Sequence, residues 1–326
     1  MLKSGAAVTL IKIPNRDSLH FFSKNKDINV NLAQPFDEKR TGFLKTLSKN
    51  ILSNKKAKNF PDSITFGYWC RPSNINRLKS YYDDIDIRLG LGLAFHVAPS
   101  NVPMNFAFSF IFSLLAGNSN IVRIPSRGFD QIRIFLEIFN DTAKDYPDIY
   151  LGTVFLNYDS ADQYLTKFFS ENSDARIIWG GDESVIAIKC MPSKERAVDV
   201  IFSDRYSGSI IDVVALSLLN EKEYKRFVHN IFNDIFLMDQ NACSSPRVFF
   251  WLGGSTRLFT KIQKKLWTDV SVYSQQHYSI QPSQVISKFN NACIHLIQSE
   301  TSNKIKFNNG YLFTQDISNN LLKLDS

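Results

Sequence analysis

Between Leu89 and Val213 the sequence alternates short apolar runs with longer segments of helical periodicity, and this alternation limits the fold more than any other feature. The runs that predict β-strands are residues 91–97, 120–124, 153–158, 176–179, 198–203 and 209–213. Segments that predict helices follow the first four runs, at residues 103–116, 129–140, 161–169 and 183–189. A helix between two strands carries the chain back across the sheet, so consecutive strands run parallel. The sequence therefore predicts an α/β fold built on a parallel sheet.

The rest of the chain predicts a second region of mixed helix and strand. Helices are expected at residues 221–237, 255–269 and 282–298, with a strand at 247–252 and a weaker one at 310–314. The length of 326 residues suits two domains, because one domain usually takes about 100–200 residues.

The net charge of +7 and the pI near 9.1 would suit a nucleic-acid partner, but the charge is local. Residues 1–60 contain 12 Lys and Arg against 4 Asp and Glu, whereas the other 266 residues contain 26 against 27. The first 60 residues are therefore expected to form a basic peripheral arm, with one amphipathic segment at 42–52. For the bulk of the chain we expect no nucleic-acid partner.

The cysteines and the apolar stretches indicate the cellular compartment. Four cysteines, at positions 70, 190, 243 and 293, are too few and too widely spaced for a disulfide framework, and no Cys or His pair has zinc-site spacing. The most apolar stretch, residues 104–116, is too short to span a bilayer. The N-terminal residues lack the apolar run of a signal peptide. The sequence therefore predicts a cytoplasmic protein without a membrane span.

Two side chains are candidates for chemistry on local grounds. Cys243 lies among small residues in a polar loop, where a substrate could approach it, and a thiol is a good nucleophile at neutral pH. On this segment alone, an ordinary buried cysteine is the favoured alternative. His96 ends a predicted strand, where open α/β sheets place their sites. A core histidine bonded to backbone is the favoured alternative there.

Glycine and arginine mark a possible phosphate site. Gly180 and Gly181 lie between a predicted strand and a helix N-terminus, where amide N–H groups can meet a phosphate. The acidic pair at 182–183 would repel that phosphate. Arg123 and Arg127 flank a turn and could bind phosphates through several N–H donors, although two solvated surface arginines are an equally good interpretation.

Four segments of the chain carry a family resemblance. They are residues 96–103 (HVAPSNVP), 114–126 (LLAGNSNIVRIPS), 179–183 (WGGDE) and 239–246 (DQNACSSP). In this order they resemble the aldehyde dehydrogenase superfamily, and within it the LuxC-type acyl-CoA reductases that supply fatty aldehyde in bacterial bioluminescence. The resemblance covers residues 85–300 and implies an aldehyde-dehydrogenase-like fold, with a parallel Rossmann-type sheet domain and an α/β catalytic domain. We therefore expect a basic arm at residues 1–60, a nucleotide-binding α/β domain at 61–215 and a C-terminally short catalytic thiol domain at 216–326.

The resemblance also implies roles for individual residues. Cys243 matches the thiol that attacks an acyl carbonyl, and Asn101 matches a side-chain amide of the oxyanion hole, a kind of donor typically worth about 3 kcal/mol. Arg123 matches a lysine that contacts the cofactor's ribose, and Arg127 falls where NAD-dependent members carry a glutamate. A cation at Arg127 suits a 2′-phosphate, so NADPH is expected rather than NAD. The other positions that the resemblance assigns to the cofactor are Ser100, Ser126, Gly180 and Gly181.

One absence bears on the reaction. Oxidising members of the superfamily carry a general-base glutamate in a segment before the thiol, whereas residues 205–212 here (RYSGSIID) contain none. Without a base to activate water, an enzyme thioester would resist hydrolysis. The expected activity is therefore reduction of an acyl thioester, with the acyl group arriving on CoA or from an acyl-synthetase or carrier protein.

Other hypotheses remain open at this point. An ordinary aldehyde dehydrogenase would need the glutamate. A catalytically weak binding or assembly protein is also possible, because the chain stops about 80 residues after Cys243 and family members continue further. A homo-oligomer is expected if the C-terminus permits one. Nucleic-acid binding would be supported by residues 1–60 alone.

Overall fold

The structure is a computed structural model that describes residues 9–99, 102–126, 128–203, 205, 207–236, 240, 243–278, 282–298, 305–308 and 311–315. The chain divides into two compact units, one up to Asp204 and one from Arg205 onwards. This division lies eleven residues before the domain boundary expected at residue 215.

The first unit contains most of the secondary structure. In chain order its elements are β1 (Thr9–Lys12), β2 (His20–Phe21), β3 (Asp27–Val30), α1 (Glu38–Ser53), α2 (Pro61–Trp69), α3 (Pro72–Lys79), β4 (Leu93–Val97), α4 (Asn105–Leu115), β5 (Ser119–Arg123), α5 (Asp130–Ala143), α6 (Pro147–Leu151), β6 (Thr153–Asn157), α7 (Gln163–Asn172), β7 (Ala175–Gly180), α8 (Asp182–Lys189) and β8 (Val198–Ser203). Short 3₁₀ helices lie at Ala57–Asn59 and Ile85–Ile87. The strands at β1 and β3 pair with each other as a separate antiparallel ribbon.

A six-stranded sheet in the order β2-β6-β5-β4-β7-β8 forms the centre of this unit. Only β2 runs antiparallel to its neighbour, and the other strand pairs are parallel. The chain starts at β4, adds β5 and β6 on one side, and then crosses over to add β7 and β8 on the other. The order therefore reverses between β4 and β7, and ligands of such sheets bind outside the carboxyl ends of the strands at that point. The predicted α/β fold with a parallel sheet is confirmed.

Apolar side chains cover both faces of the sheet, because strands buried on both faces alternate their side chains between two cores. On β6, for example, Phe155 packs with α1, α4 and α5, whereas Val154 and Leu156 pack on the opposite face with α7. Aromatic rings fill the first core with edge-to-face contacts, as between Phe139 and Phe155 at 4.9 Å.

Among the described helices, α4 included, none is long and apolar enough to cross a membrane.

The prediction of a peripheral arm at residues 1–60 is wrong for helix α1. Phe43, Leu44 and Leu47 are fully buried in the first core, while Lys45 and Lys49 are exposed. The lysines raise the average polarity of the segment and hide an apolar stripe with helical periodicity. The exposed lysines of this segment therefore lie on the outer face of a packed helix, whereas Arg40 is buried and pairs with Asp37.

The second unit is smaller and has less sheet. Its elements are β9 (Ser207–Asp212), α9 (Val213–Leu218), α10 (Glu221–Phe236), β10 (Pro246–Leu252), α11 (Thr256–His277), α12 (Pro282–Gln298), β11 (Ile305–Asn308) and β12 (Leu312–Gln315). Strands β9 and β10 pair in parallel, and β11 and β12 pair antiparallel. One face of the β9–β10 pair packs on α10 and α11 around Phe236, Leu266 and Val270.

Candidate functional site

The carboxyl edge of the six-stranded sheet collects most of the residues predicted for a cofactor site. Strands β4, β5 and β7 are adjacent and parallel, and they end at Val97, Arg123 and Gly180. The described residues of the predicted segments, 98–99, 102–103, 124–126 and 180–183, follow these strand ends, so the fold brings them to one edge. Three of the predicted residues, Ser100, Asn101 and Arg127, lie outside the described residues.

Gly180 and Gly181 have the strand–turn–helix arrangement that the sequence predicts. Gly180 is the last residue of β7, and Gly181 is the N-cap of α8. A Cβ added to Gly181 would meet no atom within 4 Å, so the backbone there borders open space. Asp182 and Glu183 occupy the first turn of α8, where carboxylates stabilise the helix dipole. The turn has room for a ligand, and its acidic neighbours disfavour a doubly charged phosphate directly on the helix axis.

The guanidinium of Arg123 contacts Tyr158. Its Nη2 donates to the carbonyl oxygen of Tyr158 at 3.2 Å, and its Cζ lies 4.7 Å from the centre of the Tyr158 ring. Its Nε is buried and has no hydrogen-bond partner in the part of the chain that the structure describes. Because buried N–H groups are normally paired, this atom is a donor that a bound ligand could use.

Ser126 lies in the turn after β5 and contacts the end of β6. Asn157 Nδ2 donates to Ser126 Oγ at 3.3 Å and to the carbonyl oxygen of Ile124. These contacts fasten the turn to the sheet edge. The hydroxyl of Ser126 is exposed enough to take part in a ligand contact as well.

His96 belongs to the core and not to an open catalytic pair. The side chain is fully buried. Its Nδ1 lies 2.8 Å from Ser109 Oγ and its Nε2 lies 3.0 Å from Asn120 Oδ1. Burial lowers the pKa of His96 to about 4, so the ring is neutral at pH 7. The favoured core interpretation is confirmed, with side chains as partners in place of the expected backbone groups.

Cys243, in the second unit, is exposed. It lies in the loop between α10 and β10, and its carbonyl oxygen accepts a hydrogen bond from Ser207 Oγ. Gln240, at a left-handed φ of 59°, closes the loop: its N–H donates to the Ile235 carbonyl at 2.7 Å and its Nε2 to the Pro246 carbonyl at 3.0 Å. The described residues of the loop are thus held by hydrogen bonds to main-chain carbonyl groups while Cys243 is exposed, and the alternative of a buried cysteine is wrong for Cys243.

The other cysteines differ from Cys243 in their surroundings. Cys70 is buried, and burial raises its pKa far above the range in which a thiol is reactive. Cys190 is exposed at the end of α8, and Cys293 is half-buried on α12. Within the described ranges, no group of three His, Cys, Asp or Glu side chains could hold a metal ion.

The acidic side chain of β9 lies away from the thiol. Asp212 Oδ1 accepts from the N–H groups of Val214 and Ala215 at 2.8 and 2.9 Å, so the carboxylate caps α9. Ser207, at the other end of β9, is the residue beside the Cys243 loop. Five residues of extended strand separate the two ends by roughly 17 Å. Asp212 is therefore a structural cap and not a base for Cys243.

Sequence reasoning missed the residues that brace these positions. Trp179 stacks on Phe202 with ring centres 3.9 Å apart, and its indole N–H donates to Ser109 Oγ at 3.2 Å. Ser207 and Gln240 support the thiol loop. The contacts of Trp179 and Ser207 join residues far apart in the sequence, so only the packing of β7 against α4 and β8, and of β9 against β10, reveals them.

Comparison with known proteins gives one family and one fold. A family model described as acyl-CoA reductase (LuxC) matches residues 23–319. The long-chain acyl-protein thioester reductase of Aliivibrio fischeri is 26% identical over 178 residues, which are 54% of this chain and 35% of that protein. The long-chain acyl-protein thioester reductase 2 of Photobacterium leiognathi is 26% identical over 52% of this chain and 34% of its own length. The matched stretch thus spans about a third of each relative.

The structural likeness supports the same fold. The crystal structure of an aldehyde dehydrogenase from Bartonella henselae superposes with a TM-score of 0.52 and 15% identity, and covers 74% of this chain and 53% of that one. At this identity the similarity shows the aldehyde-dehydrogenase-like fold alone, which confirms the expected fold class.

Proposed function

The chain belongs to the acyl-CoA reductase (LuxC) family, and from this premise we propose that it reduces an acyl thioester to an aldehyde, with Cys243 as the acyl acceptor and NADPH as the reductant. The observation that carries the proposal is the exposed thiol on a loop held by Ser207 and Gln240. An accessible thiol on a fixed backbone can be presented to an acyl group in a reproducible geometry.

The first step is acyl transfer to the chain. The Cys243 thiolate attacks the acyl carbonyl carbon, the bond from that carbon to the donor's sulfur breaks, and the departing thiolate takes a proton. The product is a thioester on Cys243 Sγ. The backbone N–H of Cys243 and the Asn101 amide are the proposed donors to the oxyanion, because preorganised N–H groups stabilise the charge that develops on the carbonyl oxygen.

The residues of the sheet edge fit a dinucleotide cofactor. Arg123 Nε has no hydrogen-bond partner among the described residues, and Gly181 borders open space at the switch point of the sheet. Ser126 lies on the same edge. Bound NADPH supplies the hydride equivalent that the reduction needs, and the preference for NADPH over NAD rests on Arg127. Ser100 completes the proposed set of cofactor contacts.

The surroundings of β9 support reduction rather than hydrolysis. Its carboxylate, Asp212, is engaged as a helix cap at the end of the strand away from the Cys243 loop. A water molecule near the thioester therefore receives no help from this strand in losing a proton. The oxidation of aldehydes to free acids, which needs that help, is disfavoured.

The candidate acyl donors all carry the acyl group in a thioester bond. The names of the relatives specify acyl-protein thioesters, and CoA presents the acyl group through the same thioester bond. We propose acyl-CoA, or an acyl group carried by a synthetase or carrier protein, as the donor. A cytoplasmic location and a homo-oligomeric state are parts of the same proposal.

The proposal is tested by intact-protein mass spectrometry after incubation with acyl-CoAs of different chain lengths. Wild type should gain the mass of one acyl group, and Cys243→Ala should gain none. Cys190→Ala is the matched control, since Cys190 is also an exposed cysteine, and it should be acylated like wild type. Acylation of Cys243→Ala, or no adduct on wild type with any chain length, would contradict the proposal.

A further inference from the structure

A network of hydrogen-bonded polar side chains lies beneath the carboxyl edge of the six-stranded sheet. It joins Trp179 on β7, Ser109 on α4, and His96 and Asn120 on β4 and β5 through contacts of 3.2, 2.8 and 3.0 Å. Ser109 is 4% exposed, and His96 and Asn120 are not exposed at all. Buried polar groups destabilise the fold unless they are all paired. A fully paired network of this kind therefore depends on several residues together.

The hydrogen bonds in this network have a defined direction. Asn120 Nδ2 donates to the carbonyl oxygen of Asn118 at 3.1 Å, so Asn120 Oδ1 is free to accept from His96 Nε2–H. His96 Nδ1 is then an acceptor and receives the hydroxyl proton of Ser109. Ser109 Oγ in turn accepts the indole N–H of Trp179. The neutral ring of His96, whose pKa burial lowers to about 4, matches this arrangement at pH 7.

Trp179 is the member of this network that lies at the carboxyl edge of the sheet. Its indole is half-buried and is fixed by two independent contacts, the hydrogen bond to Ser109 and the stack on Phe202, with planes 11° apart. The next two residues are Gly180 and Gly181, which form the turn into α8. Gly180 pairs with Ser203 of β8, and the Gly181 carbonyl accepts from the Val185 N–H. The fixed Trp179 side chain adds a further restraint directly before two glycines, which have little stiffness of their own.

We propose that Ser109 and His96 are positioning residues that hold Trp179, and through it the Gly180–Gly181 turn, in the place where the nicotinamide cofactor binds. The inference rests on the proposed function for the identity of that ligand. Trp179 would form the fixed aromatic wall of the site, and Ser109 would determine the orientation of the indole. We expect the acylation of Cys243 to proceed without Trp179, Ser109 or His96, since none of the three is among the proposed groups for that step.

The expected signature is a change in cofactor binding without a change in acylation. Ser109→Ala removes both the acceptor of the Trp179 N–H and the donor to His96, and a hydrogen bond of ordinary net worth corresponds to about a fivefold change in binding. Trp179→Phe keeps an aromatic ring on Phe202 and removes the N–H, so we expect a rise in the dissociation constant of NADPH in that variant too. The rate at which an acyl-CoA modifies Cys243 should stay within about twofold of wild type in both variants.

Ser113→Ala is the matched control. Ser113 lies one turn further along α4, is likewise 4% exposed, and accepts a hydrogen bond from Asn118 Nδ2 at 3.2 Å. Its loss removes the same buried hydroxyl from the same helix without touching Trp179. NADPH binding is measured by cofactor fluorescence on the full chain, acylation by mass spectrometry without cofactor, and unfolding by urea for all variants.

The inference is supported if Ser109→Ala and Trp179→Phe weaken NADPH binding about fivefold or more while Ser113→Ala does not. It is overturned if the two serine variants weaken binding equally, if Trp179→Phe binds NADPH like wild type, or if wild type does not bind NADPH although Cys243 is acylated. Failure of wild type to form any adduct contradicts the acylation step of the proposed function separately. The two readouts thus distinguish the two failures.

Discussion

The two units of the chain secure their functional groups in opposite ways. In the first unit the sheet edge rests on buried side chains, with His96, Ser109 and Asn120 bonded to one another and closed off from solvent. In the second unit Cys243 is exposed, and only its main chain is held, by Ser207. A binding surface that must keep its shape is built on a packed core, whereas a nucleophile that must reach a substrate stands on a braced loop.

The difference extends to the strands themselves. Strand β4 is buried along its whole length, between neighbours on both sides. In the described part of the second unit β9 and β10 pair only with each other, and Ile210, Phe250 and Leu252 are exposed on one face. Substitutions should therefore affect stability more in the first unit and acylation more in the second. Substitutions of buried and exposed side chains in the first unit, and of Ser207 at the thiol loop of the second, test the two halves of this contrast.

The largest effect is expected from an ion pair inside the first unit. Arg176 is 4% exposed and makes two hydrogen bonds to Asp199, at 2.6 and 2.7 Å. Asp199→Ala leaves a buried guanidinium without its carboxylate and should lower the free energy of unfolding by about 4 kcal/mol. Lys194→Ala breaks an exposed pair with Asp174 and should cost less than about 1 kcal/mol. Urea denaturation measures both losses. Equal losses would contradict the expectation that breaking a buried ion pair costs more stability than breaking an exposed one.

Helix α1 provides the second test. Leu44 is fully buried in the first core and Lys45 beside it is exposed. Leu44→Ala should lower the free energy of unfolding by about 3 kcal/mol, through lost burial and the cavity that remains. Lys45→Ala should change it by less than about 0.5 kcal/mol. A Leu44→Ala protein as stable as wild type would restore the hypothesis of a peripheral arm.

The third prediction concerns pH and His96. Burial lowers its pKa to about 4 in the folded chain, so between this value and the ordinary His pKa the unfolded chain binds more protons than the folded one. Stability therefore rises with pH through this window and falls as the solution is acidified. Between pH 7 and pH 5 the loss due to His96 should be about 2 kcal/mol.

Urea denaturation at several pH values measures this loss. His96→Gln should remove most of the dependence in that window, whereas His20→Gln, a change at an exposed histidine of β2, should keep it. An unchanged pH dependence in His96→Gln would show that another group is responsible.

The smallest effect on stability is expected at the thiol loop. Ser207→Ala removes the hydrogen bond to the Cys243 carbonyl and should lower the free energy of unfolding by about 1 kcal/mol or less. The loop then has more freedom, so we expect the acylation rate to fall about fivefold, with NADPH binding unchanged. This is the reverse of the signature expected for Ser109→Ala. A mass-spectrometric time course measures it, and a weakened NADPH binding in Ser207→Ala would contradict the division of roles between the units.

The periodicity of apolar residues in the sequence was enough to predict most of the helices and strands. The predicted strand 198–203 and helix 282–298 coincide with β8 and α12, because the pattern of apolar residues is local information. The strand predicted from residue 91 begins at Leu93. Gly92 has a φ of 136°, and a Cβ there would lie 2.1 Å from Asp174 Oδ2, so a contact distant in sequence sets the start of the strand.

The site was predictable in part. The sequence places Arg123, Gly180 and Gly181 at or just after the ends of predicted strands, and in the structure they lie at the carboxyl ends of β5 and β7. Their part in a binding site stays a prediction. The partners of His96 could not be predicted, because Ser109 and Asn120 meet it only when α4 and β5 pack against β4. The exposure of Cys243 and the left-handed backbone of Gln240 could not be predicted either, because the residue types do not determine them.

The central claim is that an acyl group on Cys243 is discharged by reduction. The direct measurement is a single turnover: acylate the chain with an acyl-CoA, remove the excess, add NADPH, and follow the adduct and its product by mass spectrometry. The account predicts that the adduct is stable in buffer and that NADPH releases one equivalent of aldehyde per acyl group. Release of free acid before NADPH is added, or an adduct that persists after it, would contradict the account.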